Sequence, residues 1–255
     1  MKYDQILARL HLHAVLPLLE EIVAADDEAS AMVARWDHTI QFHAVGGIGA
    51  HLTFRDGSLQ VGRGKIRKPT IALWFKSAAD LNRMFTGDGF VLPIVWKGLW
   101  HPMLLRGFTK LSKRLEHYMR APEEKVLGDE KILALVVKLQ LYAMVFGLKE
   151  VGENDPAVSG YVKDTPNGTA EFRIMPDGPV AHLSVRDGLL SPSRGPALRP
   201  NLIMEIKDYR VAYELFQGRL DTLAAVGACD IKLRGQIPII DGLSPSMDRL
   251  DVYLS

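Results

Sequence analysis

Cysteine is almost absent from this 255-residue chain, and charge of one sign is not in excess. The single Cys229 cannot form an internal disulfide, which fits a reducing compartment. The 31 basic residues are balanced by 30 acidic ones, so a net charge of +1 gives no electrostatic reason to expect a nucleic-acid partner. The first residues also lack the apolar core and small-residue cleavage site of an export signal. We therefore expect a cytoplasmic protein that does not bind nucleic acid.

Long hydrophobic runs are missing as well. The most apolar window, residues 132–146, is interrupted by Lys138 and Gln140 and is shorter than the ~20 residues that a bilayer span needs, so it predicts a buried helix. The composition as a whole, 47% hydrophobic and 24% charged, is typical of a globular protein. The length suits one large domain or two small ones.

Motifs that carry catalytic or metal chemistry are not found in the sequence. There is no HExxH, CxxC, GxxxxGK[ST] or GxSxG pattern. The glycine-rich residues 45–49 lead into a predicted strand and not into a helix N-terminus, so they lack the amides and dipole that hold a phosphate. We predict no catalytic residues, no metal site, no cofactor and no enzymatic activity.

An internal duplication organises the chain. Residues 50–87 align without gaps to residues 181–218, and 13 of these 38 positions are identical. The match begins with AHLTFRDG against AHLSVRDG, and it extends upstream, where Asp26 aligns with Asp155, and downstream, where Arg114 aligns with Arg249. A period near 130 residues is too long for a solenoid repeat. The sequence therefore predicts two copies of one domain, residues 1–121 and 122–255.

Each copy shows the same predicted order of elements, αα–βββ–α–ββ–α. Asp56-Gly57 and Asp187-Gly188 lie between extended runs, which is a strong hairpin signal. Near the end of the second copy we predict two extended runs, residues 228–233 and 236–240. The order predicts an α+β fold in each copy, with helices covering one face of a mainly antiparallel sheet.

Two histidines, His51 and His182, occupy the same position in both copies. In one interpretation, these histidines form hydrogen bonds with the head group of a ligand. The other has them bond a neighbouring part of the chain, as buried histidines usually do. The sequence leaves both open.

The second copy resembles the sterol carrier protein 2 (SCP2) domain. The resemblance is carried by residues 213–221, YELFQGRLD, and by the glycine-flanked strand of residues 227–235, GACDIKLRG. The first copy departs from this pattern, since Gly87-Asp88-Gly89 replaces Gly-Arg-Leu and residues 95–100, VWKGLW, stand where the strand is expected. The resemblance implies two five-stranded SCP2-like domains, related by a pseudo-two-fold axis. It also implies an apolar tunnel between sheet and helices that holds a lipid, sterol or fatty acyl group without catalysis.

Aromatic residues and methionines are enriched in the first copy, which makes it the preferred ligand site. Trp74 stands there where the second copy has Glu205. These side chains either pack in the hydrophobic core or line a ligand pocket. The candidate ligand-binding residues are Trp74, Met84, Phe85, Phe90, Trp96, Trp100, Met103, Leu215 and Phe216.

A basic cluster follows the predicted hairpin of the first copy, formed by Arg63, Lys65, Arg67 and Lys68. It is either a solvated loop or an aid to transient docking on an anionic membrane surface. The function predicted from the sequence is the binding or intracellular transfer of a hydrophobic small molecule or lipid. The alternative is a filled-core scaffold, an accessory subunit with a protein partner that processes lipids or steroids.

Overall fold

The computed structural model describes residues 2–88, 91, 93–98 and 102–254. The chain divides into two compact units, Met1–His117 (unit 1) and Tyr118–Ser255 (unit 2). Each unit contains its own five-stranded sheet with helices.

Unit 1 begins with a helical region and continues with strands that form its sheet. Its helices are α1 (Lys2–Leu10), a π-helical turn (His11–Val15), α2 (Leu18–Ala25), α3 (Asp27–Val33), α4 (Ala78–Thr86) and α5 (Pro102–Met119). Its strands are β1 (His38–Ala44), β2 (Ile48–Arg55), β3 (Ser58–Arg63), β4 (Ile71–Phe75) and β5 (Ile94–Lys97).

Unit 2 repeats this order with an additional helix before its last strand. Its helices are α6 (Glu123–Gly128), α7 (Glu130–Asn154), α8 (Ser159–Asp164), α9 (Tyr209–Phe216), α10 (Thr222–Gly227) and α11 (Ile237–Leu254). Its strands are β6 (Gly168–Ile174), β7 (Val180–Arg186), β8 (Leu189–Arg194), β9 (Leu202–Ile206) and β10 (Ile231–Gly235).

The two sheets share one topology, β3-β2-β1-β4-β5 in unit 1 and β8-β7-β6-β9-β10 in unit 2. The central pairs β1–β4 and β6–β9 are parallel, and the other pairs are antiparallel. The predicted α+β class is confirmed, and the sheets are mixed because the fourth strand of each runs parallel to the first.

The hairpin turns form where the sequence predicts them. Arg55 pairs with Ser58, so Asp56 and Gly57 alone make the turn, with φ angles of 51° and 72°. Asp187 and Gly188 repeat this geometry at 51° and 73°. Two successive residues with positive φ give a turn whose twist matches that of the flanking strands, and Asp-Gly is among the pairs that tolerate it best.

Helices pack against one face of the unit 1 sheet. Phe42 in β1 is fully buried, and its ring lies 6.2 Å from that of Phe85 in α4 and 5.5 Å from that of Phe108 in α5, between centroids. Because side chains alternate along a strand, Gln41 and His43 lie on the opposite face.

An arginine–aspartate pair recurs in both units. In unit 1, Arg114 of α5 bonds Asp26, which also caps α3 by accepting from the amide of Ala29. In unit 2, Arg249 of α11 lies 2.6 Å from the carboxylate of Asp155. Each pair ties the last long helix of its unit to the turn that follows the first helical region.

The outer edge of each sheet is engaged by the first helical region of its own unit. In unit 1, the backbone amide of Val61 in β3 donates to the carboxylate of Glu20 in α2. In unit 2, Leu190 in β8 donates its amide to Glu153 of α7 at 2.7 Å and accepts from the ammonium of Lys149 at 2.6 Å. Pro192, which corresponds to Val61, has no amide hydrogen to present.

The two extended runs predicted near the end of unit 2 are wrong in detail, because β10 begins at Ile231 and not at residue 228, and the second run is helical. Residues 236–240 are not extended, because α11 begins at Ile237. The strand stops at Gly235, whose φ of 109° turns the backbone, and a Cβ there would lie 2.0 Å from the carbonyl oxygen of Asn201. Helix α10 was not predicted, although Asp221 caps it by accepting from the amide of Ala224.

Helix α7 has the length and apolar composition of a membrane span, yet 56% of its most apolar window is buried. It packs within unit 2 against β8, α9 and α11. Its apolar residues therefore serve the core of this unit, as the interrupted apolar window predicts.

Candidate functional site

The candidate site lies on the face of the unit 1 sheet opposite to the contacts of Phe42 with α4 and α5. Gln41 and His43 of β1 stand there beside Ala72 and Trp74 of β4, which are their register partners. The chain between β3 and β4 approaches this face, because the amide of Ile66 donates to Oε1 of Gln41 at 2.8 Å. Two central strands and one connecting loop thus position the site.

A cavity of about 410 Å³ occupies this face. Its lining residues are Gln41, His43, Lys65, Ala72, Leu73, Trp74 and Trp96. This volume falls within the ~300–1,000 Å³ range of small-molecule pockets. The cavity differs in place from the tunnel that the SCP2 resemblance implies, which would lie between the sheet and the helices.

Two tryptophans form the aromatic part of the lining. Trp74 is half-buried on β4, whereas Trp96 is 83% exposed. Trp96 owes its position to an irregularity in the β4–β5 pairing, where Ala72 pairs with Lys97 and Leu73 with Val95, so that Trp96 is an extra residue. A bulge of this kind redirects a side chain out of the regular ladder.

The polar part of the lining carries one cationic side chain. Lys65 is exposed, and among the residues that the structure describes no carboxylate pairs with it. Burial lowers the pKa of His43, and the charge of Lys65 lowers it further. A hydrogen bond with the backbone of Ile48 opposes this decrease in pKa. His43 is therefore a neutral imidazole near pH 7, with hydrogen-bonding capacity but no charge.

Unit 2 places ion pairs at the corresponding positions. Glu171 and Arg173 stand where unit 1 has Gln41 and His43, and the guanidinium of Arg173 pairs with the fully buried carboxylate of Glu171. Glu205 stands where unit 1 has Trp74 and pairs with Arg234 of β10 at 3.1 Å.

The loop contact is nevertheless the same in both units, because the amide of Ala197 donates to Glu171 as that of Ile66 donates to Gln41. The same backbone framework thus carries an aromatic cavity in one unit and neutralised charges in the other.

The two shared histidines bond their own chain. Nδ1 of His51 lies 3.2 Å from the carbonyl oxygen of Gly64, and Nδ1 of His182 lies 2.9 Å from that of Gly195. Of the two interpretations, the structural one is confirmed: each histidine ties the end of the third strand of its sheet to the second.

The structure brings together two of the predicted ligand-binding residues, Trp74 and Trp96. Phe85 lies instead in α4, stacked on His11 at 5.0 Å between centroids, and Met84 beside it is half-buried. Met103 is 80% exposed at the start of α5 and is not among the lining residues.

Two of the remaining predicted residues, Leu215 and Phe216, are not among the described residues that line this cavity. Leu215 and Phe216 are half-buried in α9 of unit 2. Phe90 and Trp100 lie outside the residues that the structure describes.

Sequence reasoning missed Gln41, His43 and Lys65 as lining residues. A signal was present, since polar residues at alternate positions of a central strand indicate that one face is not packed in an apolar core. Lys65 belongs to the basic cluster, whose other members, Arg63, Arg67 and Lys68, are also exposed.

No protein-family model matches the chain, and no curated protein matches it. Among solved structures, it is similar to sterol carrier protein domain 2 of Helicoverpa armigera, with 17% identity over 44% of this chain and 87% of that one and a TM-score of 0.35. It is similar to UbiJ-SCP2, a ubiquinone synthesis protein, with 11% identity, 40% and 88% coverage and a TM-score of 0.33. It is also similar to sterol carrier protein 2 like 2 from Aedes aegypti, with 18% identity, 43% and 97% coverage and a TM-score of 0.31. The two five-stranded sheets of this chain fit the tandem of SCP2-like domains that its sequence indicates.

Proposed function

We propose that this protein binds and carries a hydrophobic small molecule in the cavity of unit 1 and releases it chemically unchanged. The observation that carries the proposal is the aromatic lining: Trp74 and Trp96 border a cavity of small-molecule size on a sheet face. A fatty acyl chain and a sterol-like ring system are the ligand types proposed, because both present apolar surface to such a lining.

The driving force would be the removal of apolar surface from water. Trp96 is 83% exposed, so much of its indole surface is available to a ligand. Tryptophan offers a large apolar area with little conformational entropy to lose, which makes it an effective binding surface. Burial of such area stabilises by about 25 cal/mol per Å².

Unit 2 has a structural role in this proposal. Its counterparts of the lining residues form ion pairs, Arg173 with Glu171 and Arg234 with Glu205. Displacing either pair by an apolar ligand would leave charges without partners, which is costly away from water. The protein would therefore carry one ligand per chain, in unit 1.

An exchange of residues between the units tests the site. The double variant Gln41→Glu/His43→Arg gives unit 1 the ion pair of unit 2 without changing the net charge, because His43 is neutral near pH 7. The matched control, Glu171→Gln/Arg173→His, makes the reverse change in unit 2. Binding of methyl cis-parinarate, an uncharged fluorescent polyene, would be measured for both variants and the parent protein by the rise in polyene fluorescence.

We expect at least a tenfold loss of affinity in the unit 1 variant and less than a twofold change in the unit 2 variant. Equal loss in both, or loss in the unit 2 variant alone, would refute the placement of the ligand in unit 1. Native mass spectrometry after gentle purification adds an independent readout. A bound lipid supports the carrier, whereas a bound protein without a small molecule supports the scaffold alternative.

A further inference from the structure

We propose that the cavity selects amphiphilic acids, whose apolar part lies against Trp74 and Trp96 and whose acidic group pairs with Lys65. This inference rests on the proposed function and adds to it the chemical class of the ligand and the residue that selects it. It comes from the charges that surround the cavity and from their contrast with unit 2.

Lys65 is the source of positive charge in the lining. None of the described lining residues is a carboxylate, and no carboxylate in the described part of the chain pairs with this ammonium group. An ammonium group beside a partly apolar cavity attracts an anion more strongly than one on an open surface, because the low-dielectric walls reduce screening. An acidic ligand would supply the counter-charge that the chain does not.

Two neutral side chains complete the polar end of the cavity. Burial, and then the charge of Lys65, lower the pKa of His43, so its imidazole is uncharged near pH 7. Gln41 uses its Oε1 to accept from the amide of Ile66, which leaves its NH₂ group as a donor. One cation and a neighbouring amide donor suit a carboxylate, which accepts several hydrogen bonds at once.

Unit 2 shows the same positions without this unpaired charge. Pro196 occupies the position of Lys65, and the neighbouring charges are neutralised within the chain by the pairs Arg173–Glu171 and Arg234–Glu205. In unit 1, the cation Lys65 and the aromatic Trp74 thus occur together. In unit 2, other residue types occupy both positions.

The test compares an acid with its own methyl ester, so that only the charge differs. Binding of cis-parinaric acid and of methyl cis-parinarate would be measured at pH 7.4 with the full chain. Lys65→Met removes the charge and keeps the length of the side chain, and Lys65→Arg keeps the charge. Lys68→Met is the matched control, since Lys68 is an exposed basic residue of the same loop that does not line the cavity.

We expect Lys65→Met to weaken binding of the acid at least tenfold and binding of the ester less than twofold. Lys65→Arg should stay within threefold of the parent protein for both probes, and Lys68→Met should match the parent. Added salt should weaken binding of the acid and leave that of the ester unchanged.

Equal effects of Lys65→Met on the two probes, or an equal effect of Lys68→Met on the acid, would overturn the role of Lys65. Parent protein that binds the ester as tightly as the acid would refute selection by charge but leave the proposed function intact. Parent protein that binds neither probe would refute both.

Discussion

Replacing Trp96 by alanine should weaken binding of an apolar ligand without destabilising the protein. Trp96 lines the cavity, yet 83% of it is exposed. Its indole therefore contributes little to the folded core, and its removal should leave the thermal unfolding temperature almost unchanged. The loss should be confined to the complex.

The expected magnitude follows from the area that a ligand would cover. A tryptophan side chain buries ~200 Å² when it is fully enclosed. A ligand lying against one face of an indole that is 83% exposed covers roughly half of the exposed part, about 80 Å². At about 25 cal/mol per Å², this corresponds to about 2 kcal/mol, or a roughly 30-fold higher dissociation constant.

The assay is a titration with methyl cis-parinarate, followed through the fluorescence of the polyene. Met103→Ala is the matched control, because Met103 is an apolar side chain of unit 1 with 80% exposure that is not among the lining residues. We expect Met103→Ala to bind within twofold of the parent protein. If Trp96→Ala binds as tightly as the parent, or if both variants lose affinity equally, the assignment of the ligand to this cavity is wrong.

Two further predictions concern stability. Burial lowers the pKa of His11 from 6.5 to about 4, and the hydrogen bond to Asn82 opposes the shift. Between pH 6.5 and pH 4 the unfolded chain therefore binds this proton more readily than the folded chain, so the stability of the fold decreases as the pH falls through this range. Denaturant titrations at pH 7 and pH 5 would measure the free energy of unfolding of the parent protein and of His11→Gln, whose side chain does not titrate. Between these two pH values the parent should lose about 2 kcal/mol more than the variant, and an equal loss in both proteins would contradict this prediction. Gly235→Ala should cost more than about 2 kcal/mol, because its φ is 109° and a Cβ would meet a carbonyl oxygen at 2.0 Å. Gly227→Ala in helix α10, where a Cβ meets nothing within 4 Å, should be neutral or slightly stabilising. Denaturant titration of both glycine variants measures these changes in the free energy of unfolding, and equal losses would contradict the role of Gly235.

Much of the fold could be predicted because the sequence contains two copies of the same domain. The Asp56-Gly57 turn and its copy at Asp187-Gly188 locate the hairpins, since few residues tolerate two successive positive φ angles. The parallel pairing of β1 with β4 could not be predicted in the same way. Alternation along a strand shows which side chains share a face, but it does not show which other strand lies alongside.

The candidate site was predictable only in part, for the same reason. Trp74 stands out because the second copy has Glu205 at its position. Gln41 and His43 are assigned to one face by alternation, but only the ring contacts of Phe42 show that the helices cover the other. The position of Trp96 depends on an irregular β4–β5 register, which no local pattern reveals.

The engaged sheet edges have a consequence for how this chain behaves in a crowded solution. A bare outer strand offers a row of amides and carbonyls on which a second chain can polymerise. Here the amide of Val61 is bonded to Glu20, the amide and carbonyl of Leu190 are both bonded to α7, and Pro192 has no amide hydrogen to donate. These contacts should hinder the addition of a second chain along β3 or β8, and a substitution such as Glu20→Ala would free the amide of Val61 for such pairing.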